Sequence, residues 1–99
     1  MKPAADCESM LDVREGVDAI DRALVALLVE RFGYMDAAAR IKPAREAVRD
    51  EARKAQVIAN AGTAARAAGL PDGLTDALWE TLVEASIAYE LKAWEALHR

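Results

Sequence analysis

The sequence SMLDVREGVDAIDRALVALLVERFGYMDAAARIK, residues 9–42, decides the fold of this chain. Ser9 followed three positions later by Asp12 is a weakened form of the capping box that begins many helices, and Pro43 supplies a stop signal. Between these signals, apolar residues recur with the period of about 3.6 that is typical of one helix face. They are Val13, Val17, Ile20, Leu24, Leu27, Leu28, Met35 and Ala38. The pattern predicts one uninterrupted helix from Ser9 to Lys42.

Two cations are predicted on the apolar side of this helix. Arg31 falls seven residues after Leu24, and Lys42 lies eleven residues beyond Arg31. At about 100° per residue, this spacing returns Lys42 to within roughly 20° of the face of Arg31, about 16 Å further along the axis. Each cation alone also fits a purely structural role. Arg31 could snorkel at the edge of the apolar face or pair with an acid, and Lys42 could be a solvated helix end.

The length of this helix favours assembly of two chains. A helix of about 32 residues spans roughly 48 Å, whereas a compact chain of 99 residues has a radius of gyration of about 13 Å. Much of the apolar face would contact water unless another chain covered it, so we expect an intertwined homodimer. Gly33 costs about 1 kcal/mol relative to alanine inside a helix, which packing over many turns can offset.

The rest of the sequence predicts two more helices and no strand, so we expect one all-α, three-helix domain over residues 1–99. The segment Pro43 to Val48 is charged and aperiodic, and we expect a mobile loop there. A short second helix should begin at Arg49 or Asp50 and end near Ala68. Its apolar face is rich in alanine, which allows close approach, so we expect this helix to pack against the long one.

A third helix of medium length should follow a clear break. Gly69 and the sequence Leu70-Pro71-Asp72-Gly73 end the second helix. The third helix should begin near Thr75 and reach almost to the C-terminus, and it is apolar over most of its circumference. Ser86 and Glu90 are four residues apart and therefore lie next to each other on one face of it.

Composition argues against several classes of function. The formal net charge is −4 and no long run of Lys or Arg occurs, which argues against nucleic-acid binding. The single cysteine, Cys7 on an arm expected to be loose, and the single histidine, His98, provide neither a transition-metal site nor a convincing nucleophile and base. The N-terminus lacks a signal-peptide core, and the longest aliphatic run, Ala23 to Val29, is too short to span a bilayer. We expect a cytoplasmic protein without a membrane partner.

The residues that remain for chemistry are mostly cations. They are Arg14, Arg31, Lys42 and Arg53, together with the polar pair Ser86 and Glu90. Arg14 precedes Arg31 by seventeen residues, which places it about 25 Å away and roughly 100° around the helix. Arg14 therefore cannot contact the same small ligand as Arg31 of its own chain. In an intertwined dimer it could contact the ligand bound by the other chain. Arg14, Arg53 and Glu90 also fit as ordinary surface charges.

Several short motifs, in this order and spacing, resemble a known family. The motifs are Val13-Arg14-Glu15, Ala19-Ile20-Asp21, Leu27-Leu28-Val29-Glu30-Arg31, Lys42, Val48-Arg49-Asp50 with Arg53, and Ser86 with Glu90. No single motif is specific. Together they resemble the small all-helical chorismate mutases, especially the branch that includes isochorismate-pyruvate lyase, over nearly the whole chain. The resemblance implies an intertwined three-helix homodimer with two identical active sites, each completed by an arginine of the other chain.

The resemblance also implies roles for individual residues. Arg14 would be donated to the partner's site and bind one carboxylate of a dianionic substrate, and Arg31 would bind the other. Lys42 and Glu90 would hydrogen-bond the ether oxygen of that substrate. Arg31, Lys42 and Glu90 would thus form the catalytic set.

Three further residues would complete the substrate site by the same resemblance. Asp50 would hold the substrate hydroxyl, and Arg53 and Ser86 would line the pocket. The loop after Lys42 is one residue shorter than in some relatives, and this difference bears directly on the alignment of Asp50.

The function that the resemblance implies is conversion of chorismate to prephenate in aromatic amino-acid biosynthesis. This pericyclic rearrangement needs no nucleophile, metal or cofactor. The enzyme need only hold the substrate in its compact conformer and stabilise the charge that develops on the breaking ether bond. The alternative within the family is isochorismate-pyruvate lyase, which gives salicylate and pyruvate. Outside enzymes, a noncatalytic helical dimer or interaction module stays open, and the sequence does not identify any activating partner enzyme.

Position 90 carries Glu, where many members of the family carry Gln and others carry Glu. An ionised carboxylate would repel the negative charge that develops on the ether oxygen, whereas a protonated carboxyl would donate a hydrogen bond to it. We therefore expect that Glu90 must be protonated for turnover, and that turnover falls as the pH rises.

Overall fold

The computed structural model describes residues 1–99 and contains helices but no β-strand. The α-helices are α1, Met10–Ile41, α2, Glu51–Ala67, and α3, Leu74–Leu97, and short 3₁₀ turns lie at Ala4–Asp6 and Arg45–Ala47. The all-α class and the three helices are thus confirmed. The chain divides into two compact units, Met1–Tyr34 and Met35–Arg99, and α1 contributes to both. None of the helices combines the length and the apolar composition that crossing a bilayer requires.

The start of α1 is fixed by side-chain hydrogen bonds. The backbone N–H of Asp12 donates to Ser9 Oγ at 3.2 Å, and Asp12 Oδ2 accepts from the backbone N–H of Glu8 at 3.0 Å. The hydrogen bond from Glu8, followed by that from Lys2, lowers the pKa of the Asp12 carboxyl. The expected capping box is therefore present, with the carboxylate bonded one residue further upstream, and both predicted ends of α1 are correct to one residue.

The N-terminal arm is folded, whereas we expected it to be loose. Lys2 Nζ lies 3.2 Å from Asp12 Oδ2, and the Cys7 thiol donates to the carbonyl oxygen of Pro3 at 3.7 Å. The arm and α1 enclose a cavity of about 370 Å³ whose lining includes Val17 and Ile20. The ion pair holds the arm because Asp12 is itself fixed by the helix start.

Within the first unit, the apolar face of α1 is largely uncovered. Val17 is 52% exposed, Ile20 51%, Leu24 53% and Leu27 60%. A row of large aliphatic side chains exposed in this way is unusual for a chain that works alone.

Capping residues set both ends of α2. Asp50 Oδ1 accepts from the backbone N–H of Arg53 at 3.0 Å, as an N-cap residue does. At the other end, Gly69 has φ +81°, and the N–H of Leu70 donates to the carbonyl of Ala65 at 3.0 Å. This arrangement is a Schellman motif, which requires the left-handed conformation that glycine adopts without strain. The helix begins one or two residues after the predicted start at Arg49 or Asp50 and ends one residue before the predicted end near Ala68.

The packing partner of α2 differs from the one we expected. We predicted that α2 would pack against the long helix, but its main contacts are with α3. Gly62 lies at this interface, where a Cβ atom would come within 3.6 Å of Asp76 Oδ1 on α3. Small residues let the two backbones approach, and they do so between α2 and α3 because the tight turn at Gly69 and Gly73 folds α3 directly back onto α2.

The segment after α1 is the expected loop, with structure that the sequence did not indicate. Within Pro43 to Val48, Arg45–Ala47 forms a 3₁₀ turn and Val48 is only 4% exposed. Arg45 Nε donates to Glu95 Oε1 on α3 at 2.9 Å. A buried valine and an ion pair anchor the segment, and neither is visible as periodicity in so short a stretch.

An ion-pair network joins α2, α3 and Arg49, which lies two residues before α2. Glu84 on α3 accepts from Arg49 Nη2 at 2.7 Å and from Lys54 Nζ at 2.9 Å, and Lys54 also contacts Glu80 at 2.8 Å. The hydrogen bonds from Arg49 and then Lys54 lower the pKa of Glu84 from 4.5 to about 2. Glu84 is therefore the centre of the network.

The lowered pKa of Glu84 predicts a pH-dependent contribution to stability. Because the folded-state pKa lies below the unfolded value, the contribution is fully present above pH 4.5 and is lost as the pH falls towards 2. We expect Glu84→Gln to lower Tm at pH 7 and the difference from wild type to shrink steadily below pH 4.5. Thermal unfolding by circular dichroism at a fixed protein concentration measures this.

The control for this prediction is Asp72→Asn, which removes a carboxylate that makes no salt bridge. Its Tm difference from wild type should change little over the same pH range. A Glu84→Gln difference that stays constant from pH 7 to pH 3 would show that the network does not stabilise the ionised carboxylate.

Candidate active site

The centre of the candidate site is Lys42, the residue that follows α1. Its Nζ lies 2.6 Å from Glu90 Oε2 and 3.4 Å from the carbonyl oxygen of Val48. Its backbone N–H donates to the carbonyl of Ala38, so Lys42 continues the hydrogen bonding of α1 by one residue before Pro43 ends it. The lysine is therefore held at the end of a helix, with its ammonium group directed at α3.

Glu90 is the buried member of this pair. Its side chain is 6% exposed, against 30% for Lys42. A carboxylate this buried needs a partner, and a distance of 2.6 Å is that of a short, charge-assisted hydrogen bond. The sequence also allowed Glu90 as an exposed surface charge, and its burial rules that interpretation out.

The donors and acceptors of this pair leave capacity for a ligand. An ammonium group has three N–H donors and no acceptor, so Glu90 Oε2 accepts from Lys42. Lys42 directs two donors at Glu90 and Val48, which leaves a third for a ligand atom. A proton on Glu90 would have to reside on its other oxygen, Oε1.

Ser86 lies one turn before Glu90 on α3 and is also buried, at 4% exposed. Its hydroxyl donates to the carbonyl oxygen of Leu82 at 2.7 Å. Since a hydroxyl donates once, Ser86 can meet a ligand only as an acceptor in this rotamer. The expected pairing of Ser86 and Glu90 on one face of the third helix agrees with their burial.

Asp50 and Arg53 make their contacts at the start of α2. Both residues are exposed, Asp50 caps the helix through Oδ1, and Arg53 Nη1 donates to Gln56 Oε1 at 2.8 Å. None of these contacts involves Lys42 or Glu90. The substrate-binding roles expected for Asp50 and Arg53 therefore stay predictions.

Arg14 and Arg31 belong to the first unit. Arg14 is exposed and Arg31 is half-buried on α1. Their expected roles in binding carboxylates also stay predictions.

Two residues contact Lys42 although the sequence did not predict them as part of the site. The indole N–H of Trp94 donates to the carbonyl oxygen of Lys42 at 3.0 Å, and buried Val48 contributes the carbonyl near Nζ. Trp94 lies four residues after Glu90, so its position on the same face was available from helix periodicity. Val48 gave no comparable signal, because a backbone carbonyl carries no sequence signature.

A second contact ties α3 to the last turns of α1. Tyr89 Oη donates to Asp36 Oδ1 at 2.8 Å, and this hydrogen bond is the main cause that raises the pKa of Tyr89. Together with Glu90 and Trp94, Tyr89 gives α3 three polar contacts with the segment from Asp36 to Lys42.

The second unit also contains an open cavity of about 380 Å³ beside α3. Its lining includes Arg45, Val48, Arg49 and Leu91, but neither Lys42 nor Glu90. The described residues contain no group of three or more His, Cys, Asp or Glu side chains placed to hold a metal ion. The candidate site is thus defined by the Lys42 and Glu90 pair rather than by a cavity or a metal cluster.

Comparison with known proteins assigns the chain to an enzyme family. Residues 13–91 match the family model described as chorismate mutase type II, and the chain belongs to that family. One curated relative is the isochorismate pyruvate lyase of Pseudomonas aeruginosa. It is 31% identical over 94 residues, which cover 95% of this chain and 93% of that protein. The resemblance found in the sequence is therefore confirmed at the level of the family.

Proposed function

We propose that this protein is a chorismate mutase, an isomerase that converts chorismate to prephenate. In this reaction the ether C–O bond breaks while a C–C bond forms, and no atom is gained or lost. Family membership supports the proposal. The observation that carries it is the ammonium group of Lys42, held 2.6 Å from buried Glu90 with a donor to spare.

Lys42 would act on the charge that develops during bond breaking. Negative charge accumulates on the ether oxygen as the C–O bond lengthens, and a positioned ammonium group stabilises it more in the transition state than in the ground state. Because Glu90 and Val48 already orient this group, little reorganisation is needed when the substrate reacts. Such a site needs no nucleophile or metal.

The arginines would bind and orient the substrate. Chorismate carries two carboxylates, and a guanidinium group binds a carboxylate through two parallel hydrogen bonds. We assign one carboxylate to Arg31 and the other to Arg14 of a second chain, with Asp50, Arg53 and Ser86 around the rest of the substrate. These assignments follow the family pattern residue by residue.

The same proposal includes a homodimer. The exposed apolar face of α1 supports it, because aliphatic residues that are half exposed or more in one chain become buried when a second copy covers them. A donated Arg14 would make each site dependent on both chains.

Isochorismate-pyruvate lyase activity is the second candidate, and the curated relative favours it. In that reaction the same kind of ether bond breaks, and a hydrogen moves from the ring to the departing enolpyruvyl group, giving salicylate and pyruvate. The Lys42 and Glu90 pair would serve either reaction, since both place negative charge on the ether oxygen.

The first test is a direct comparison of substrates. We expect purified protein to consume chorismate and release prephenate. We expect Lys42→Ala to lower kcat/KM by about a thousandfold, because removal of one donor that stabilises transition-state charge typically lowers kcat by a factor of about 10²–10³. Loss of chorismate absorbance and salicylate fluorescence measure the two activities. Lys92→Ala, an exposed lysine on α3, is the control and should retain activity.

Each other outcome identifies one alternative. Salicylate formed from isochorismate without prephenate from chorismate would assign the lyase. No turnover of either substrate by well-folded wild-type protein would favour the noncatalytic helical dimer.

Complementation tests whether two chains build each site. Arg14→Ala and Arg31→Ala should each be nearly inactive, but co-expressed chains should recover about a quarter of wild-type activity. The reason is that about half the dimers are mixed, and one of the two sites in each mixed dimer has both arginines. Activity per chain, with dimer content measured by light scattering, gives the result.

The matched control is co-expression of Arg31→Ala with Lys42→Ala. If one chain supplies both residues to a site, each site in the mixed dimer lacks one of them and no activity returns. Equal recovery in both mixtures, or none in either, would contradict the donation of Arg14.

The pH dependence tests the role of Glu90. If turnover requires a protonated carboxyl, kcat/KM of the wild type should fall as the pH rises. Glu90→Gln keeps an N–H donor that does not titrate, so its profile should stay flat. Flat profiles that superimpose for both proteins would show that protonation of Glu90 does not matter.

A further inference from the structure

Helix α3 contacts the main chain of Lys42 as well as its side chain. The indole N–H of Trp94 donates to the carbonyl oxygen of Lys42 at 3.0 Å in a partly buried setting. This carbonyl lies at the end of α1, where carbonyl groups have no partner in the helix, and Pro43 has no N–H to continue the pattern. Trp94 therefore supplies the donor that the helix cannot.

One face of α3 contacts both ends of the lysine. Glu90 binds Nζ at 2.6 Å, and Trp94, four residues later, binds the main-chain carbonyl. A lysine side chain has a flexible four-carbon stem, so the carboxylate alone would fix the ammonium group but not the backbone from which it extends. Both contacts together fix the start and the end of the stem.

Trp94 is in turn supported by the C-terminus of α3. The ring of His98 stacks on the indole, with centroids 3.9 Å apart and planes 12° from parallel, and His98 Nδ1 lies 2.8 Å from the carbonyl oxygen of Trp94. Stacking restricts rotation of the indole, which keeps its N–H directed at Lys42.

We propose that Trp94 is a positioning residue for the candidate reaction, acting through the main-chain carbonyl of Lys42. Trp94 does not itself contact the reacting atoms in this proposal. It sets where the lysine stem begins and so keeps the ammonium group at the ether oxygen. The proposal rests on the proposed function for its catalytic part, whereas the hydrogen bond itself is independent of it.

The first measurement needs no substrate. Trp94→Phe keeps an aromatic ring but removes the donor, and Lys42→Met removes the ammonium group but leaves the carbonyl. If Trp94 positions the lysine for Glu90, the two substitutions should shift the urea midpoint by less together than the sum of their separate shifts. Trp79→Phe, at the other tryptophan of α3, is the control and should combine additively with Lys42→Met.

The second measurement separates positioning from packing. A misplaced lysine weakens interactions made only in the transition state, so kcat of Trp94→Phe should fall about tenfold to a hundredfold while KM changes by less than about twofold. A purely structural loss would lower the midpoint and leave kcat of the folded protein unchanged. Trp79→Phe should retain both kcat and KM.

Each outcome decides the question. Additive midpoints together with an unchanged kcat would overturn the proposal. Absence of turnover in the wild type would refute the proposed function, and the coupling between Trp94 and Lys42 would then decide alone whether the indole positions the lysine. Coupled midpoints with a lowered kcat support the proposal.

Discussion

The contact between Lys42 and Glu90 is the constraint on which the second unit depends. A carboxylate that is 6% exposed is costly without a cation, and removal of one partner from such a pair destabilises a protein far more than the pair itself stabilises it. The contact joins the end of α1 to the middle of α3, 48 residues further along the chain. An arrangement that kept Glu90 buried but moved the end of α1 away would leave the carboxylate without its cation, so the pair favours the contact between the end of α1 and α3.

The pair matters more because so little apolar surface is buried around it. The buried apolar residues are Ala39, Val48, Ala65 and Val83, all small or medium in size. A chain of 99 residues has little volume from which to build a core, and small domains commonly gain stability from a second chain. The exposed aliphatic face of α1 provides the surface for such a gain. In the proposed dimer, this face would supply the core that the single chain lacks and would bring Arg14 to a second site.

Local signals in the sequence were sufficient for the helices. Ser9, Pro43, Asp50 and Gly69 mark helix ends through their own backbone chemistry, so the ends could be predicted to within one or two residues. Packing could not be predicted in this way. An alanine-rich face indicates that a neighbour comes close but does not identify that neighbour, and the main contacts of α2 are with α3. At the site, helix periodicity placed Lys42 on the apolar side of α1, and the family resemblance implied the roles of Lys42 and Glu90. Trp94 was assigned only to an apolar row, because the sequence does not show which carbonyl group its indole N–H will bind.

The distribution of contacts over α3 has a consequence for how the lysine can move. Tyr89, Glu90 and Trp94 all lie within two turns of one helix, and all three hold the segment from Asp36 to Lys42. Because one helix carries all three of these contacts, a rotation of α3 would move them together, while the carbonyl of Val48, in the segment after Pro43, supplies a further contact with the ammonium group. In the proposed reaction, electrostatic stabilisation requires a charge that is already in place when the bond breaks. A single helix that holds both the stem and the tip of one lysine is a direct way for so small a chain to meet that requirement.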